Sequence, residues 1–132
     1  MRKLAKLAFT VFVLAFAAAP ALADAVSVAY TPSAFAEAQA SGKHIVVDVY
    51  ADWCPTCQAQ KPIMSELKKD PAAKDILFIT VNFDTEKEFL RAHRVAYQST
   101  ILVFKGKEEL TRSTAETNRD RLRSLVLAAV PK

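Results

Sequence analysis

Both cysteines of this 132-residue chain lie in the motif Trp53-Cys54-Pro55-Thr56-Cys57. The motif follows a β-branched apolar run, residues 44–50, of the kind found in strands buried on both faces. It precedes an amphipathic segment, residues 58–69, that predicts a helix ending near residues 70–71. A disulfide between cysteines so close in sequence constrains the unfolded chain little, so it would add little stability. The strand-turn-helix setting instead indicates a redox-active dithiol.

The position of Cys54 predicts which thiol attacks. If the helix begins just after Cys54, unpaired backbone N–H groups and the helix dipole favour a thiolate there. We therefore expect Cys54 to be the nucleophile and Cys57 to be the shielded partner. An inert structural disulfide and a metal site are the alternatives, although two sulfur ligands fall short of the four usual for structural zinc. We expect no metal and no bound cofactor.

Asp48 is the one acidic residue of the apolar run before the motif. A carboxylate inside Val46-Val47-Asp48-Val49 has no obvious route to solvent, so desolvation should raise its pKa. We expect Asp48 to be a buried proton carrier, which completes a catalytic set with Cys54 and Cys57. The two histidines, at positions 44 and 93, flank predicted elements and are expected at the surface.

Residues 47–57 resemble the active-site strand and turn of the thioredoxin family, with Asp48 six residues before Cys54. Pro62 falls where many thioredoxins kink the following helix, and residues 80–84 and 100–105 resemble the third and fourth strands. The resemblance covers residues 26–130. It implies a thiol-disulfide oxidoreductase that acts on protein or small-molecule disulfides and dithiols. The substrate-binding residues that it implies are Trp53, Pro55, Thr56, Gln98 and Ser99.

Three positions depart from the family pattern. Ser99 stands where thioredoxins have a cis-proline, in a loop whose backbone pairs with substrate in the family. A cis bond before a residue other than proline costs about 3 to 4 kcal/mol. Because the flanking residues follow the family, we nevertheless expect Gln98-Ser99 to be cis. Thr80 replaces a frequent lysine near the buried aspartate, and Ala115 replaces a glycine that faces the active site.

The order of predicted elements is βαβαβαββα, an α/β pattern that suits a mixed sheet with helices on both faces. Strands are expected at residues 26–28, 44–50, 76–81, 100–104 and 109–113, and helices at 31–42, near 58–69, 85–93 and from about 118. The resemblance identifies this arrangement as the thioredoxin fold.

The N-terminus predicts export. Three basic residues, Arg2, Lys3 and Lys6, precede an apolar stretch and a small-residue site ending at Ala23. We expect residues 1–23 to be a secretory signal peptide and residues 24–132 to form a single thioredoxin-like domain. The apolar stretch is shorter than the about 20 residues of a membrane span, which disfavours an uncleaved anchor. The protein is expected in the periplasm if its source is a Gram-negative bacterium.

The net charge of the chain bears on which binding partners are expected. The chain has 18 basic and 14 acidic residues, but removal of the signal leaves 15 against 14. The chain has no basic patch and no zinc-finger spacing, so nucleic acid is not an expected partner. We expect a monomer that exchanges electrons with a membrane partner.

The reductive direction is favoured because the chain lacks the large inserted helical domain typical of dedicated envelope oxidases. The alternatives are a non-catalytic thioredoxin-fold binding module and a dithiol metallochaperone.

Overall fold

The computed structural model describes residues 23–131, so the predicted signal peptide lies outside the described residues apart from Ala23. The elements are β1 Ser27–Ala29, α1 Pro32–Ala40, β2 His44–Tyr50, α2 Pro55–Leu67, β3 Ile76–Asn82, α3 Lys87–Ala92, β4 Thr100–Lys105, β5 Glu108–Thr114 and α4 Arg119–Val126, with 3-10 turns at Pro71–Ala73 and Leu127–Ala129. This order confirms the predicted βαβαβαββα pattern.

Polar side chains cap the N-termini of several of the helices. The Ala34 N–H donates to Thr31 Oγ1 (3.1 Å), and Pro32 occupies the first helical position of α1. At α4 the Arg121 N–H donates to Asn118 Oδ1 (3.0 Å). Both helices therefore begin where the sequence predicts them to begin.

The five strands form one mixed sheet in the order β1-β3-β2-β4-β5. Strands β1 and β2 run parallel to β3, while β4 runs antiparallel to β2 and to β5. Strand β2 is central, and Asp48 lies opposite Thr80 on one neighbour and Ile101 on the other. The motif that follows β2 therefore lies at the end of a central strand that pairs with a neighbour on each side.

Helices α1 and α3 cover one face of the sheet, which we call the aromatic face. Its core contains Phe35, Phe89 and Phe104, whose ring centroids lie 5.5 Å apart in the pairs Phe35–Phe89 and Phe35–Phe104. His93 packs among these rings, with its centroid 4.3 Å from that of Phe89. His93 is half-buried, so it is partly at the surface as expected while one side of its ring packs against the cluster.

Helices α2 and α4 cover the other face, which we call the α2 face. Met64 and Leu67 from α2 pack with Leu122 and Val126 from α4 against the sheet. Side chains alternate along a strand, so Asp48 shares this face with Val46 while its two immediate neighbours point to the aromatic face. The fold therefore places Asp48 under the helix that carries the cysteines.

Candidate active site

Helix α2 begins at Pro55, and Cys54 is its N-cap residue in an extended conformation. Proline suits the first helical position because its missing N–H would have no partner there. Cys54 and Cys57 form a disulfide, with Cα atoms 5.3 Å apart. The Cys57 N–H donates to Cys54 Sγ at 3.0 Å. The first turn of the helix thus directs a backbone donor at the sulfur of Cys54.

Both sulfurs are enclosed. Cys54 is 1% exposed and Cys57 is 7% exposed, and they pack with Ala51 against Tyr50 and Phe83. Cys57 is buried, but Cys54 is less exposed still, which is the reverse of the expectation that Cys54 is the more accessible of the two. The cause is that β2 and the start of α2 bring Ala51 and both cysteines into one small apolar cluster.

The rest of the motif forms the surface around the disulfide. Trp53 is 59% exposed, and its Nε1–H donates to Asp84 Oδ2 at 2.9 Å. Pro55 is exposed and Thr56 is half-buried. Tyr97, which the sequence analysis did not identify, is also largely exposed and directly precedes Gln98. The signal available in the sequence was an aromatic residue two positions before Ser99.

Asp48 lies in an open pocket of about 400 Å³ between α2 and the sheet. Cys57, Lys61, Lys68 and Thr80 line the same pocket. Asp48 as a whole residue is half-buried, so the pocket supplies the route to solvent that the sequence pattern did not predict. Asp48 and Cys57 therefore line one pocket that is open to solvent.

Burial raises the pKa of the Asp48 carboxyl above its usual range, and the positive charge of Lys68 opposes that rise. The direction agrees with the expectation from the sequence. Thr80 instead donates from its hydroxyl to the Val28 carbonyl oxygen at 3.4 Å. The cation that acts on Asp48 thus comes from the end of α2, and not from β3 where thioredoxins often carry a lysine.

The Ser99 loop differs from the prediction. Residues 23–131 contain no cis peptide bond, so Gln98-Ser99 is trans and the expectation of a cis bond is wrong. Ser99 has φ +59°, in the left-handed region that few residues other than glycine adopt. Its N–H donates to the Val49 carbonyl oxygen at 2.7 Å. This bond to the end of β2 fixes the loop without proline.

Gln60 is the functional candidate that sequence reasoning missed. It is 1% exposed, and its Nε2 group donates to the carbonyl oxygens of Ser99 (3.2 Å) and Glu116 (3.0 Å). The buried residues of α2 are Cys57, Gln60, Met64 and Leu67, a helical spacing that includes Gln60. That spacing was the available signal, because a glutamine on the buried stripe needs partners inside the protein.

The described part of the chain has neither a cluster of metal ligands nor a membrane-spanning helix. Residues 23–131 contain no group of three or more His, Cys, Asp or Glu side chains that could hold a metal ion. None of the helices in this range has the length and hydrophobicity needed to cross a membrane.

Known proteins are similar to this chain in sequence and in fold. The thioredoxin family model matches residues 26–128. A thioredoxin of Coprinus comatus is 29% identical over 86 residues, 65% of this chain and 80% of the relative. A thioredoxin-like protein of Fusarium culmorum is 34% identical over 70 residues, 52% of this chain, and the match spans 58% of that relative's length.

The solved structures agree. The crystal structure of Trxlp from Edwardsiella tarda is 41% identical, with a TM-score of 0.74, and the alignment covers 77% of this chain and 98% of that one. A thioredoxin of Malassezia sympodialis at 17% identity, with a TM-score of 0.72 over 85% of this chain and 96% of that one, supports the fold alone. The chain therefore belongs to the thioredoxin family, whose members are thiol-disulfide oxidoreductases.

Proposed function

We propose that the protein reduces disulfide bonds in other proteins, with Cys54 as the attacking thiolate. The observation that carries this proposal is the Cys57 N–H directed at Cys54 Sγ at the start of α2. In the reduced protein the same donor would stabilise negative charge on Cys54, and the thiolate is the form that attacks a disulfide.

The exchange has two steps. The Cys54 thiolate attacks one sulfur of the substrate disulfide, so that bond breaks, a mixed disulfide forms and the other substrate sulfur leaves as a thiolate that takes up a proton. The Cys57 thiol then gives its proton to Asp48 across the shared pocket and attacks Cys54 Sγ. The second substrate sulfur leaves as a thiolate and is protonated. The substrate gains two electrons and two protons, and the protein becomes oxidised.

The raised pKa of Asp48 suits the second step. A carboxylate that accepts a proton from a thiol works best when its own pKa is moved towards that of the thiol. Trp53, Pro55 and Thr56 would contact the substrate on one side of the disulfide. On the other side the contact would come from Gln98, because Ser99 is 4% exposed and its N–H and carbonyl oxygen are both bonded within the protein.

The first experiment is insulin reduction with dithiothreitol as the electron donor, which separates catalysis from simple binding. Cys54→Ser should abolish turnover and trap few mixed disulfides, whereas Cys57→Ser should abolish turnover and accumulate them. These two variants are matched controls for each other. Accumulation by Cys54→Ser instead would reverse the assignment of the nucleophile, and an inactive wild-type protein would support a non-catalytic binding module.

The direction of exchange is tested by the reduction potential of the Cys54–Cys57 pair. We expect a value near about −270 mV, which is typical of reductants, and a value near about −120 mV would make the protein an oxidant. Metal titration of the reduced protein tests the alternative of a dithiol metallochaperone.

We also propose that residues 1–23 direct export and that the exported protein, a monomer, receives electrons from a membrane partner. The basic, apolar and small-residue segments of the N-terminus support this proposal. N-terminal sequencing of the protein recovered from the cell envelope should begin at Asp24. Recovery of a membrane-bound protein that retains residues 1–23 would mean that this segment is an anchor.

A further inference from the structure

The carboxamide of Gln60 joins three segments that lie far apart in the sequence. Its Nε2 group donates from α2 to the Ser99 carbonyl oxygen before β4 and to the Glu116 carbonyl oxygen after β5. The Ser99 carbonyl oxygen also accepts the Ala115 N–H at 3.0 Å. Gln60 follows Cys57 by one helical turn, so these bonds connect the disulfide to both loops.

The two loops held by Gln60 each contain a residue in an unfavourable backbone conformation. Ser99 and Ala115 have φ values of +59° and +60°, and neither is glycine. Backbone in this region persists only when the surrounding structure fixes it by several contacts. At Ser99 those contacts are the N–H bond to Val49, the two bonds to its carbonyl oxygen, and the bond from its hydroxyl to the Gln98 carbonyl oxygen.

Gln60 itself is not an efficient way to stabilise the fold. Its Oε1 atom is buried and has no hydrogen-bond partner among the described residues. An unpaired buried acceptor is costly, and an apolar side chain of similar size would avoid that cost. Unpaired buried polar groups are rare in native proteins, and a functional role is one of the reasons for which they are retained.

We propose that Gln60 is a positioning residue for disulfide exchange, which fixes the Ser99 loop against α2, the helix that begins at the cysteine motif, so that an extended segment of a protein substrate can dock on the loop. This inference rests on the proposed exchange function. A small disulfide has less surface to lay against the loop than an extended peptide segment has, so its reduction should depend less on how the loop is held. Gln60 would therefore govern the preference for protein over small-molecule disulfides.

The test is Gln60→Met, which keeps the length of the side chain and removes both donors. Gln39→Met, on α1 under the opposite face, is the matched control. We expect KM for insulin to rise about five-fold with little change in kcat, because a loop that is no longer held adopts the binding-competent arrangement for a smaller fraction of the time. The kcat/KM for oxidised glutathione should stay within about two-fold of wild type.

A second measurement does not depend on activity. Amide hydrogen exchange at Ala115 and Ser99 should become faster in Gln60→Met, while the urea midpoint changes little because removal of the unpaired oxygen offsets the lost bonds. If Gln60→Met does not fold, Gln60→Asn, which is too short to reach both carbonyls, replaces it in both measurements.

Three results would overturn the proposal. Unchanged protection at Ala115 and Ser99 would mean that Gln60 does not hold the loop. Faster amide exchange with an unchanged insulin KM, or an equal loss towards both disulfides, would mean that the role is only structural. A wild-type protein that reduces neither disulfide would overturn the exchange function itself, and the amide measurement would then show separately whether the loop is anchored.

Discussion

Asp48 and His93 are titratable side chains on opposite faces of the sheet, and they differ in what lies beside them. On the α2 face, Asp48 shares an open pocket with Cys57. On the aromatic face, His93 packs between Phe35, Phe89 and Phe104. Burial is the main cause of the pKa shift of both groups, since it raises the pKa of Asp48 and lowers that of His93.

The difference shows that desolvation alone does not make a catalytic group. Removal from water perturbs the protonation of any buried acid or base, and structural groups are perturbed as well. A catalytic group also needs a reacting atom within reach and a route for its proton. Asp48 lines a pocket together with Cys57, whereas His93 packs against the rings of three phenylalanines and no cysteine lies among them. Substitutions should therefore affect exchange on the α2 face and only stability on the aromatic face.

The largest effect on stability is expected from Phe89→Ala. Phe89 is buried and contacts Tyr30, Phe35 and His93, so its removal leaves a cavity in the aromatic face. Urea unfolding should show a loss of about 3 to 5 kcal/mol. Insulin reduction by the fraction that remains folded should be within about two-fold of wild type. A ten-fold loss of exchange in folded protein would contradict the separation of the two faces.

The next effect is expected from Ser99→Pro, at the edge of the active site. Proline fixes φ near −65° and has no N–H, whereas Ser99 has φ +59° and donates to Val49. The free energy of unfolding should fall by about 3 kcal/mol, and exchange with proteins should weaken. Ser99→Gly is the control, because glycine accepts this φ and keeps the N–H. A stable and fully active Ser99→Pro would indicate that the loop can adopt a cis bond.

The sequence predicts the active-site turn well because that turn is governed locally. Pro55 can begin a helix but cannot continue the strand before it, so Cys54 must be the N-cap. The apolar alternation of β2 likewise places Asp48 on the face opposite Val47 and Val49. The element order and the capping residues Thr31 and Asn118 follow from similar short-range rules.

The Ser99 loop could not be predicted in this way, because its conformation depends on residues distant in the chain. The bonds that fix it come from Val49, Gln60 and Ala115, and no local pattern around Gln98 indicates them. The burial of Cys54 and the packing of His93 were missed for the same reason. Each depends on how separate elements meet, which propensity and periodicity do not contain.

Asp48→Asn should lower the rate of exchange and raise the stability of the fold, as expected for a catalytic acid or base in a half-buried site. Insulin reduction at neutral pH should slow by about ten-fold because the proton acceptor for Cys57 is lost. Stability at pH 7 should rise by about 1 kcal/mol because a desolvated charge is removed. Asp75→Asn, at an exposed carboxylate outside the pocket, is the control and should change neither quantity.

The pH dependence of that stability gain gives a further check. The pKa of Asp48 is higher in the folded than in the unfolded protein, so ionisation destabilises the fold as pH rises through the interval between them. The difference between Asp48→Asn and wild type should therefore disappear when the pH falls below about 4, where both states are protonated. A gain that persists at low pH would come from packing and not from charge.

The smallest effect is expected from His93→Phe, which keeps a ring on the aromatic face and removes the titration. Burial lowers the pKa of His93, with a further reduction from Arg112 that Glu109 opposes. The unfolded chain therefore takes up a proton first as the pH falls below about 6.5, and the wild-type fold loses stability until the lowered pKa of the folded state is passed. Between pH 7 and 5 the wild type should therefore lose slightly more stability than His93→Phe, and the partial exposure of His93 keeps the difference small. His44 is present in both proteins and cancels, and insulin reduction should be equal. A change in the pH profile of exchange would mean that His93 acts on the active site, and the contrast between the two faces would then fail.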